Sequence, residues 1–161
     1  MKTATRDLET VASAALRVKK VLVPTDFSDS SRKALSYAVS FARQFGSHIV
    51  LVHVLEADSS LETFPPICIE ELKANSEETL RNLVQSAKNA GLPKITSLTR
   101  SGLPAHELVE AARELNIDLI VMATHGHTGW KHFCIGSTAE RVVRAAPCPV
   151  LVVREKEHEF V

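Results

Sequence analysis

Apolar residues along this chain fall into two alternating patterns. Short continuous runs occupy Val21 to Thr25, His48 to Leu55, Ile95 to Thr99, Leu119 to Thr124 and Pro149 to Val153. Continuous rather than alternating hydrophobicity is what a strand shows when both faces of its sheet are covered. Between these runs the spacing turns helical. Leu35, Ala38, Ala42 and Phe45 share one face of a helix capped by Ser28 or Asp29 and ended by Gly46. A polar loop from Glu56 to Pro66 follows the second run, and its Pro65-Pro66 pair argues against helix there. Ile69 to Ala90 predicts a long helix with Leu72, Leu80, Leu83, Val84 and Ala87 inward, closed by Gly91. Two more helices are expected at Ala105–Leu115 and over 137–145. Strand and helix thus alternate to five strands, which predicts an α/β domain: an open five-stranded parallel sheet with helices on both faces.

Composition narrows the function classes. Hydrophobic residues make up 45% of the 161, enough for one domain with a real core. Lys and Arg (19) balance Asp and Glu (19), so there is no electrostatic case for nucleic acid or a membrane surface. The three cysteines, Cys68, Cys134 and Cys148, are odd in number and scattered, which points to a reducing compartment. No apolar run approaches the length that spans a bilayer. The first 18 residues resemble a signal peptide only until Asp7 and Glu9 interrupt them, and Lys19-Lys20 lead straight into a core strand. They are read as an extension, with Leu8, Val11, Ala12, Ala15 and Leu16 at helical spacing, ahead of a cytoplasmic domain over 19–161.

The richest stretch runs from Asp118 to Arg144: a buried strand, a loop holding Gly126 and Gly129, then Gly136-Ser137 opening a helix. Glycines admit a ligand close to the backbone, and free amides at a helix start attract anions. The chain has neither a Walker A loop nor a Gly-x-Gly-x-x-Gly. Plainer readings stand beside the ligand reading. Gly126 and Gly129 can be turn formers, and Ser137 with Glu140 reads as a capping box before Val142 and Val143. Together, at the carboxyl end of a strand, these residues favour a site, because ligands of open α/β sheets bind there.

At this point the chain resembles the universal stress protein family, over almost everything from Lys19 to Arg154. The family's first strand ends in Pro-x-Asp-x-Ser, here Pro24-Thr25-Asp26-Phe27-Ser28, and its second in His53-Val54. Its nucleotide-binding members carry Gly-x-x-Gly, nine residues, then Gly-[Ser/Thr]. This chain has Ala123-Thr124-His125-Gly126, nine residues to Ile135, then Gly136-Ser137, with a closing Cys148-Pro149-Val150-Leu151-Val152-Val153. Ala123 replaces the first glycine; it leaves room beside a ribose provided the backbone there needs no positive φ.

The resemblance implies a Rossmann-like fold of the adenine nucleotide alpha hydrolase type and a site for ATP (or AMP). Asp26 would accept from, or lie close to, the ribose hydroxyls. Thr25 and Val54 would offer backbone groups to the adenine edge, with Pro24 and Met122 packed against the base. Gly126 would present its amide to the phosphates, and Gly136, Ser137 and Thr138 would cradle them. Magnesium would bridge phosphate oxygens while keeping several waters. A homodimer paired through the last strand, Val150 to Val153, is also implied. Without the family pattern, Asp26 reads as a loop acceptor, and Pro24 and Met122 as core.

Other candidates carry less. His125, His127, His132 and Cys134 offer zinc-type donors at a spacing that matches no standard finger. His53 reads as a core histidine. Arg100, His106 and the Gly102-Leu103-Pro104 turn are placed after the third strand, by default in a solvated loop. Lys131 and His127 could add positive charge beside phosphates, His127 only when protonated. No nucleophile–base motif stands out, so the chain reads as a stress-response or signalling module for which slow ATP hydrolysis is compatible but not required. The competing expectations are a nucleotide-free interaction protein acting as a dimer and, more remotely, a cofactor carrier like the electron-transfer flavoproteins, for which the chain is too short.

Overall fold

The structure, a computed structural model, describes residues 17–56, 66–92, 94–124 and 135–154. The expected N-terminal helix over residues 1–16 lies outside them, as do Gly126, Gly129, His125, His127, Lys131, His132 and Cys134. Among the described residues nine elements follow one another: β1 (Lys20–Pro24), α1 (Asp29–Phe45), β2 (His48–Glu56), α2 (Pro66–Asn89), β3 (Ile95–Gly102), α3 (Pro104–Glu114), β4 (Leu119–Ala123), α4 (Ser137–Ala145) and β5 (Val150–Val153). The five strands form one sheet in the order β3-β2-β1-β4-β5, every pair parallel. The α/β reading is therefore correct, with helices on both faces.

Alternate residues of the strands feed two cores. Val21, Val23, Ile49, Leu51, Ile95 and Val121 pack with Ala34, Ala38 and Ala42 of α1 and Leu80 of α2. Leu22, Val50, Val52, Ile120 and Met122 face Leu108, Ala111 and Ala112 of α3 and Ala139 and Val142 of α4. Each large side chain fully buried this way contributes about 1.5–3 kcal/mol. Small residues on the helices let them approach the sheet closely. Since β1 and β4 are neighbours while the chain turns outward through β2 and β3, the sheet's switch point lies between β1 and β4.

Several local expectations need correction. Pro66 does not exclude helix: it is the first residue of α2, where its missing N–H costs nothing. Leu72 is 48% exposed, not inward, and Ile67 and Ile69 are exposed with it. A 24-residue helix is about 36 Å long, whereas an eight-residue strand spans about 27 Å, so the first turns of α2 outrun the sheet. Phe45 is the last residue of α1, is 37% exposed, and stacks on Phe41 with ring centroids 6.1 Å apart. Arg100 and Gly102 belong to β3, not to a loop after it. Polar positions there face solvent because β3 is an edge strand.

Candidate functional site

Two turns meet at the carboxyl end of the sheet, on either side of the switch point. The first links β1 to α1. Ser28 is the N-cap of α1, its Oγ accepting from the Ser31 amide at 3.2 Å. The same hydroxyl donates to Asp26 Oδ1 at 2.5 Å, and the Ser28 amide donates to that oxygen at 3.1 Å. Asp26 is thus oriented by the cap it supports. Thr25 is buried, its Oγ1 accepting from the Phe27 amide at 3.1 Å and lying 3.2 Å from Ser31 Oγ. Its amide donates to Val52 O at 2.8 Å.

Phe27 has φ +68°, the left-handed region that a bulky side chain rarely adopts. Such a conformation costs on the order of 1–3 kcal/mol and persists only where neighbours enforce it. The neighbour here is His53, at the upper end of β2. Its Nδ1 lies 2.8 Å from Thr25 O, and its ring packs against Phe27 with centroids 4.5 Å apart at 34°. A carbonyl oxygen only accepts, so Nδ1 carries the proton. His53 is half-buried and bonded to the site loop, not merely a core residue. Its 28-residue separation from Thr25 hid this in the sequence; only the β1–β2 pairing, Pro24 against Val52, brings the two together.

The second turn links β4 to α4. The Gly136 amide donates to Thr124 O at 2.8 Å, so the chain that leaves β4 returns to the same point. The two ends of the connection bearing Gly126 are pinned together. Gly136 is the N-cap of α4, with φ −58°, ψ 150° and no side-chain cap bond. The expected Ser137–Glu140 capping box is not formed: Ser137 is already the first helical residue, because Gly136 is the last extended one. The first-turn amides of a helix have no acceptor within it, and they carry the positive end of its dipole. Gly136 needs no special backbone conformation, and a serine would cap better.

The remaining expected residues sort as follows. Pro24 and Val54 are half-buried at the upper ends of β1 and β2. Met122 is 4% exposed and packed in the core shared with α3 and α4. Ala123 ends β4; among described non-glycine residues only Phe27 and Asn116 have positive φ, so Ala123 meets the backbone condition set for it. Ser137 is exposed and Thr138 half-buried on the first turn of α4. Gly126 lies outside the described residues. Beside the site, Arg100 pairs with Glu107 at 3.6 Å and with Glu114. The Glu114 bond first, and the nearby carboxylates, raise the Arg100 pKa. Its charge is already neutralised within the fold.

Comparison with known proteins now decides the family. The model of the universal stress protein family matches residues 17–154. The chain is a universal stress protein. Universal stress protein MJ0531 of Methanocaldococcus jannaschii is 37% identical over 149 residues, covering 88% of this chain and 85% of its own. The solved structure of MJ0577 from the same organism superposes with a TM-score of 0.79 at 30% identity, over 89% of this chain and all of that one. A universal stress protein solved in complex with cAMP matches with a TM-score of 0.67 at 26% identity, over 86% of this chain and 98% of its own. This universal stress protein shares with them the parallel sheet whose upper edge carries both turns. Among its described residues no helix is long and apolar enough to cross a membrane.

Proposed function

We propose that this universal stress protein binds an adenine nucleotide, ATP (or AMP), across the carboxyl ends of β1, β2 and β4. One observation carries the reading: α4 begins at a glycine that its backbone does not require, pinned to the end of β4 and without a side-chain cap. The cAMP complex of a relative supports the adenine class. Asp26 takes the ribose hydroxyls, with Ser28 holding its carboxylate in place. Val54 offers backbone groups to the base edge, and Thr25 the second lone pair of its carbonyl, the first accepting from His53 and the amide being spent on Val52. Pro24 and Met122, the latter only 4% exposed, border the base, and Ala123 the ribose. Gly126, Gly136, Ser137 and Thr138 receive the phosphates.

Among the described residues no three His, Cys, Asp or Glu side chains come together to hold a metal. Magnesium would therefore arrive with the phosphates, held by their oxygens and by water. We read the site as a binding module for stress-response or signalling use in the cytoplasm, with slow hydrolysis as a side property. Mass spectrometry of the purified protein should find a co-purifying adenine nucleotide, and calorimetry should give saturable heat with ATP-magnesium or AMP. No heat with either ends the reading and leaves the nucleotide-free interaction protein.

We infer in addition a homodimer paired through β5. Among the described residues this strand is bonded to β4 on one side only, and its Val150, Leu151 and Val152 are half-buried. An open apolar edge is an aggregation hazard that two-fold pairing removes. Light scattering should show a dimer at micromolar concentration, and Leu151→Pro, which removes a ladder donor, should give monomer or insoluble chain. A monomeric unmodified protein overturns the assignment.

A further inference from the structure

We propose that His53 is the positioning residue of the site: through Thr25 and Phe27 it holds the β1–α1 turn in the conformation that presents Asp26. Three observations converge on it. Nδ1–H donates to Thr25 O at 2.8 Å, which fixes the carbonyl at the point where the chain leaves β1. The imidazole face lies against the Phe27 ring, centroids 4.5 Å apart. Phe27 itself sits at φ +68°, a backbone state that phenylalanine does not hold unaided. The residues on either side of Phe27 are Asp26 and its partner Ser28, bonded to each other through Oδ1. If Phe27 relaxed to negative φ, the peptide planes flanking it would turn, and the Asp26–Ser28 bonds and the α1 cap would not survive together.

The inference rests on the nucleotide reading only for its affinity readout; the conformational part stands on the protein alone. Two parts of the imidazole act, and substitution separates them. His53→Asn keeps a donor close to the Nδ1 position and loses the ring. His53→Phe keeps a ring and loses the donor. His53→Ala loses both. Phe27→Gly removes the cost of the left-handed backbone, since glycine adopts it freely.

The test follows amide exchange at Phe27 and Ser28, whose N–H groups donate to Thr25 Oγ1 and Asp26 Oδ1. Exchange there should quicken about tenfold or more in His53→Ala, and clearly in His53→Phe, while His53→Asn recovers most of the protection. Nitrogen-15 spectra of the wild-type imidazole should show the proton on Nδ1. Calorimetry with AMP then reads the ligand side. His53→Ala should weaken binding about tenfold with Phe at position 27, and by less than about threefold with Gly there, a coupling that a double-mutant cycle isolates. Unchanged exchange at Phe27 and Ser28, or an Nδ1 that carries no proton, overturns the proposal. So does an equal loss of affinity in both backgrounds, which would place His53 on the ligand or in general packing instead. A wild type that binds no adenine nucleotide ends the nucleotide reading, while exchange and the imidazole spectrum still decide the role of His53.

Discussion

At the amino end of the sheet the carboxyl ends of α1, α2 and α3 each meet a cation of the same chain. Lys94 Nζ donates to Gly46 O at 3.2 Å, Arg43 Nη2 to Ala90 O at 3.2 Å, and Lys20 Nζ to Leu115 O at 2.8 Å. The Asp118 carboxylate takes the amides of Lys19 and Lys20 at 2.8 and 2.9 Å, and Ser47 Oγ donates to Val18 O at 2.5 Å. At the carboxyl end the polar groups are arranged differently. Phe27 is held in a left-handed conformation, Asp26 is aimed by a serine that also caps α1, and α4 starts at a glycine without a side-chain cap. One end uses its charges to close the fold. The other holds backbone in a costly geometry and starts a helix at a glycine. Stability and binding should therefore respond to substitutions at opposite ends.

The largest effect should come from Gly136→Val. A branched side chain at the start of α4 should weaken adenine-nucleotide binding by on the order of a hundredfold, about 2.7 kcal/mol, measured by calorimetry. Its stability cost should stay within about 1 kcal/mol, the difference between glycine and a poor N-cap. Asp118→Ala is the mirror experiment. Losing a charged acceptor shared by two amides should cost about 2 kcal/mol in denaturant unfolding while affinity stays within about twofold. A Gly136→Val protein that binds normally, or an Asp118→Ala protein that binds poorly at full stability, would break the division between the two ends.

Gly136→Ser sharpens it. Serine is the better cap, so the variant should gain a few tenths of a kcal/mol in stability yet bind nucleotide less tightly than wild type. A gain in both would mean the glycine is there for neither room nor ligand.

The smallest effect concerns pH at the amino end. His48 Nε2 lies 2.9 Å from Thr96 Oγ1, and burial first, then Lys20 and Lys94, hold its pKa below the ordinary 6.5. The unfolded chain then binds the proton more readily than the folded one. Stability should be level above the unfolded value and fall as pH drops through about 6.5. His48→Gln should remove part of that fall in melting temperature and leave the plateau above pH 7 unchanged. An identical acid slope in both proteins would show that neither burial nor the two lysines act on His48.

Part of this division is visible in the residues alone. The five buried runs are legible because a parallel sheet covered on both faces needs continuous apolar strands, and α4 spans 137–145 as its pattern predicts. Gly46 and Gly91 mark helix ends because they supply the positive φ of +67° and +86° found there. Asp26 and Gly136 stand out by type and by their place after strands. The end of β3 beyond Thr99 was not legible, since an edge strand tolerates Arg100 and Ser101 where an interior strand would not. Nor was the exposure of Leu72 and Phe45, because helical spacing reports a face but not whether the sheet extends far enough to cover it.

The sequence by itself determined the order of elements, the two-faced core and the kinds of residue at the carboxyl ends of the strands. Those follow from local propensity and burial pattern, which act over a few residues. Tertiary structure alone decided that Gly136, not Ser137, caps α4, where the Gly136 amide donates to Thr124 O at the end of β4. It alone set His53 under Phe27, through a strand pairing that joins positions 28 residues apart. Contacts of that separation depend on which strands lie side by side, and the parallel order β3-β2-β1-β4-β5 is fixed only when the whole sheet has closed over both cores.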